Sequence, residues 1–173
     1  RLCIRSDMRI ENSQRSQNSS EINGLAPSNA PSIDSRSRGA RFKSLTDSAV
    51  VASLKRSIVH ERAAVLEVLW LIREVERRRI HLDLGYSSMF AFCTECLNYD
   101  GGSAHRRIQS ARLLEGNSEV QYDLETGMLS LTTSAMLQTH FDHCRKHSTE
   151  LSVQRQKELL ESARGKSRRD LER

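Results

Sequence analysis

From Leu45 onward the apolar residues recur every three or four positions; before it they follow no period. Val50, Val51, Leu54, Ile58, Val65, Leu66, Leu69, Ile72 and Val75 fall on one side of a 3.6-residue repeat, the spacing of a helix that buries a stripe. Thr46 or Asp47 offers an oxygen to the free N–H groups of a first turn. The pattern therefore predicts a helix over about 47–79, with a break near His60 as the alternative.

Shorter units follow. "HLDLGYSS" reads as a turn with Gly85 at its bend and Ser87 or Ser88 as the next cap. Phe90, Cys93 and Leu97 give a second helix over about 89–97, and "NYDGGS" breaks it. A third helix spans about 103–115 and stops at "GNS". "EVQYDLETGML" is a short helix ended by Gly127. Ser130 caps "SLTTSAMLQTHFDHCRKH", and Ser152 opens "VQRQKELLESAR", which Gly165 closes. Ser167 and Asp170 form a capping pair for one more helix. With no strand alternation, residues 45–173 form an all-α domain of five to six helices.

Residues 1–44 hold both prolines and the polar stretch "ENSQRSQNSSEINGLAPSNAPSIDSRSRG". They read as a disordered leader, either a solvated linker or a basic arm that touches phosphates. The leader also changes the meaning of the net charge of +5. Residues 1–43 carry eight basic and four acidic groups, whereas the remainder carries 19 and 18. Charge alone thus gives no case for nucleic acid, and the placement of individual arginines has to carry it.

A chain of 173 residues, 37% of them apolar, suffices for one ordinary domain. No apolar run approaches the roughly 20 residues of a membrane span. The start "RLCIRSDMRI" lacks the apolar core of a signal peptide, so Cys3, Cys93, Cys96 and Cys144 are expected as reduced thiols in a cytoplasm. A first residue other than methionine, and an end just after a helix-start signal, suggest a piece of a longer protein.

The chemistry concentrates in "GGSAHRRIQSARLL". On a helical wheel Ala104, Ile108 and Ala111 share the inward face, Arg106, Gln109, Ser110 and Leu113 form an outward row, and Arg107 and Arg112 flank the buried stripe. A short helix, a glycine turn and this helix have the layout of a helix-turn-helix. In that setting Arg106, Gln109 and Ser110 would face base edges, and Arg107 and Arg112 would hold phosphates. The structural alternative is a helical hairpin with a solvated face. The cluster Arg73, Arg77, Arg78 and Arg79 has a structural reason as well, because cations suit a helix C-terminus.

Cys93-x-x-Cys96 with His140, His143, Cys144 and His147 could supply zinc ligands. The motif lies inside an apolar helical stretch, however, where cysteine acts as a small core residue. No metal, cofactor or catalytic residue is assigned to the chain.

"LGYSSMFAFCTECL", "AHRRIQSARLL", "ETGMLSLTT" and "ELLESARGKSRRDLE", in this order, resemble the N-terminal helical region of bacterial HNH endonuclease family proteins over about three quarters of the chain. Residues 97–131 are also similar, more loosely, to the helix-turn-helix of ParB-like proteins. The family usually opens the third helix with Ser-Glu and sets a tyrosine before the paired arginines. Here Asp100, Gly101, Gly102 and His105 stand instead, with Arg106 and Arg107 in register. The resemblance implies DNA as the partner and a nuclease module with its divalent metal beyond this chain. The competing expectation is a protein–protein or homodimer module built on the 47–79 helix.

Overall fold

A computed structural model of the protein describes residues 35–147 and 151–171. The expected leader lies outside the described residues up to position 34. Its last part forms a helix, α1 (Ser35–Lys43). The sequence "SRSRGARFK" has no apolar stripe, and residues 39–43 of α1 are all exposed: the Arg41 guanidinium lies 4.9 Å from the Phe42 ring centroid. A periodicity argument has nothing to detect in such a helix.

The remaining elements are α2 (Asp47–Arg77), α3 (Ile80–Asp83), α4 (Met89–Ala91), which continues as a π-helical turn over Phe92–Cys96, α5 (Gly101–Gly116), α6 (Ser118–Thr126), α7 (Leu131–Lys146), α8 (Val153–Ala163) and α9 (Arg168–Leu171). No strand occurs among the described residues, and the protein is all-α. Among them, too, no helix is long and apolar enough to cross a membrane.

The capping signals account for most boundaries. Thr46, Ser88, Asp100, Ser130 and Ser152 each accept a hydrogen bond from the amide three residues on, at 2.9–3.4 Å. Ser167 and Asp170 are paired as well, with the Ser167 amide 3.2 Å from Asp170 Oδ2. Asp100 thus fills the capping place left in question by the missing Ser-Glu pair. α2 runs unbroken through His60 and ends at Arg77, because Arg79 turns into the left-handed region at φ 61°. Gly127 ends α6 at φ 80°. There Arg62 crosses from α2 to donate to the Thr126 carbonyl at 2.7 Å, and a β-carbon at 127 would collide with its guanidinium.

α5 is the centre of the domain. α7 covers one side and α2 the other, with α4 and α6 packing near its ends. Ala104, Ile108 and Ala111 are buried as their spacing predicts. The two alanines let neighbouring backbones approach, and Leu66, Leu69 and Ile72 of α2 and Leu137 and Phe141 of α7 fill the space around them.

α2 belongs to this core only along its second half. Val51, Leu54 and Ile58 continue the helical stripe of Val65, Leu69 and Ile72 toward the N-terminus, yet Val51 and Leu54 are more than half exposed.

Candidate nucleic-acid interface

A helix with a neighbour on each side has two buried faces, and this overturns part of the expected outward row. Ser110 and Leu113 are both 0% exposed. The Ser110 hydroxyl lies 2.6 Å from Ser134 Oγ and 3.2 Å from the Leu131 carbonyl, so its polarity is satisfied inside the α5–α7 contact. Leu113 is core. Neither reaches a groove of DNA. Gln109 is half-buried, and its amide oxygen lies inside the protein without a hydrogen-bond partner.

The three arginines of α5 have different fates. Arg112 turns toward α2, where Nε donates to Glu76 Oε1 at 3.1 Å and Nη2 donates to the same oxygen. Arg73 binds the same carboxylate at 3.0 Å and reaches Glu115 as well. Arg112 therefore ties α5 to α2 and is corrected from a phosphate contact to a structural ion pair. Arg107 lies over the Tyr99 ring, 4.4 Å from its centroid, with Nη1 3.4 Å from the Ser103 carbonyl. Arg106 alone turns toward α7. Its Nη2 donates to Ser103 Oγ at 3.2 Å, and Gly102, lacking a side chain, leaves room for the guanidinium beside the first turn.

Arg106 lines a groove of about 580 Å³ between the start of α5 and the length of α7. His105, His140 and His143 line it too, Arg168 of α9 adds a second guanidinium, and no carboxylate is among its lining residues. Asp100, close to Arg106, is engaged as the cap of α5. The Ser103 hydroxyl and amide hold its carboxyl below the usual range. The recess at the other end of α5 is of mixed sign, since Arg73, Arg112 and Arg145 share it with Glu115 and Asp142. Helical spacing within α5 says nothing of the α7 histidines or of Arg168. The detectable signal was the i, i+3 spacing of His140 and His143 on the helix following the Arg106 helix.

In the remaining basic cluster two arginines share one carboxylate. Arg77 and Arg78 both grip Glu74, which pulls its carboxyl down to about 2. Cys93 is fully buried and its thiol is pushed up by that burial, the behaviour of a core residue. Among the described residues, no three of His, Cys, Asp and Glu are arranged to hold a metal ion. All six histidines lie on helices or a helix cap, none on a strand pair.

Glu76 gives a pH prediction. Burial alone would raise its carboxyl, but the hydrogen bond and charge of Arg112, then Arg73, outweigh burial and hold it low. Its contribution to stability is present above the unfolded value, about 4.3 for glutamate, and is lost as pH falls through the depressed folded value. Glu76→Gln is expected to lower Tm at pH 7 and to converge with the unmodified protein in acid. A Tm gap of the same size at pH 7 and pH 3 would contradict the assignment.

No protein-family profile matches the chain, and neither a curated protein nor a solved structure matches it.

Proposed function

We propose that the chain is the DNA-binding helical region of an HNH-endonuclease-like protein, serving to position a nuclease module that lies outside it. The order of the four quoted motifs motivates the family. The observation that carries the DNA contact is the groove in which two arginines and three histidines converge with no acid among the lining residues. Arg106 is the contact kept from the sequence reading, and His105, His140, His143 and Arg168 join it. The basic helix α1, with Arg41 and Lys43 exposed, adds positive charge outside the groove. The chain's own residues supply binding only; the divalent metal belongs to the nuclease module.

Fluorescence anisotropy with a labelled duplex tests this reading. Arg106→Ala together with Arg168→Ala is expected to weaken binding and to make the slope of log affinity against log salt shallower by about two. Arg112→Ala should leave that slope where it was. A slope unaltered by the double substitution removes the groove from the interface.

A second reading is a protein–protein or homodimer module, favoured by Val51, Leu54 and Val59, each more than half exposed on the N-terminal half of α2. Light scattering of the same samples separates the two, because a dimer that forms with or without duplex and ignores it supports the second.

A further inference from the structure

The shape of the groove, taken together with the DNA-binding reading on which this inference rests, narrows which part of a nucleic acid it holds. We infer that it seats a terminal phosphate, the phosphomonoester at the end of a strand, in preference to the diester phosphates along a duplex. The site is a concavity between helices, and α5 is buried on both sides, so it offers no ridge to lay into a major groove. A duplex presents its diesters on a convex surface with one negative charge each. A chain end can enter a recess, and its monoester carries about −1.5 to −2 at neutral pH with three strong acceptor oxygens.

The lining matches that charge. The basic lining residues come from three elements, Arg106 from α5, Arg168 from α9, and His143 and His140 from α7, the last with Nε2 3.6 Å from Cys144 Sγ. A planar guanidinium binds phosphate oxygens in pairs. Arg106 donates from Nη2 to the Ser103 hydroxyl, and the bare Gly102 leaves space beside its Nη1, with the Asp100 carboxylate near by. Ala135 and Met136 give the floor an apolar patch against which a sugar can lie. No aromatic side chain other than histidine lines the groove. Base stacking on Phe, Tyr or Trp is therefore not part of the recognition, and the phosphate has to supply it.

The test uses one labelled oligonucleotide in three forms, with a 5′-phosphate, with a 3′-phosphate, and with hydroxyls at both ends, at fixed pH and salt. At least one phosphorylated form is expected to bind about tenfold tighter than the hydroxyl form, the effect of one added charge-assisted contact. Arg106→Ala should abolish that ratio. His105→Ala, a change at an exposed position, should reduce it while leaving Tm unchanged. Inorganic phosphate should compete with the phosphorylated form only. Equal affinity for all three forms, with Arg106→Ala weakening each alike, overturns the end-specific inference and leaves the DNA-binding reading standing. A preference that survives Arg106→Ala also overturns it. Binding of none of the forms removes both.

Discussion

Leu113→Ala is expected to cost the fold about 3 kcal/mol, within the 2–5 kcal/mol span of leucine truncations at sites that cannot collapse. Leu113 is completely buried, on the most enclosed helix of the domain, and α2 and α7 hold its surroundings from both sides. The lost methyl groups would leave a void that neither neighbour can fill without shifting its own contacts. Were Leu113 part of an outward recognition surface, the same change would fall within about 0.5 kcal/mol. Urea denaturation distinguishes these results, since the midpoint should drop with no change in slope. A midpoint close to that of the unmodified protein would return Leu113 to the surface and reopen the helix-turn-helix geometry.

The second large effect lies where α8 meets α6. Asp123 is 2% exposed, and Arg164 Nε donates to its Oδ2 at 2.9 Å while Nη2 reaches Glu119 at 2.9 Å. Arg164→Met would leave a buried carboxylate without its counter-charge, the most damaging way to break such a pair. Tm is expected to fall by roughly 10 °C. Adding Asp123→Leu should recover much of that loss, because replacing both partners removes the stranded charge. A fall of equal size in the single and double variants would show that the packing of Arg164, and not its charge, is what matters.

The legible and the illegible parts of this fold divide by range. Helix starts were readable because a cap and the amide that donates to it are three residues apart: Ser130 with Thr133, Ser152 with Arg155. Glycine stops were equally local, as at Gly127. The outward row and flank on α5 failed at Ser110 and Arg112 because these two are satisfied from far along the chain. Ser110 bonds Ser134, 24 residues on, and Arg112 bonds Glu76, 36 residues back. A wheel assigns polarity to solvent by default and cannot see a serine pair or an ion pair closing over it. The same limit hid the groove, which exists only because α7 and α9 bring His140, His143 and Arg168 to Arg106. At Arg106 the side-chain hydrogen bond is local, to the hydroxyl of Ser103, so the wheel and the structure agree that it lies off the core.

α2 has a mechanical meaning beyond its apolar stripe. Thirty-one residues of unbroken helix make a rod about 46 Å long. The domain grips that rod from Ile58 onward, with Arg62 clamped to the end of α6. The free turns are therefore a stiff outrigger and not a tether. Anything fastened to its tip is held at a set distance and bearing from the Arg106 recess, as a ruler would hold it.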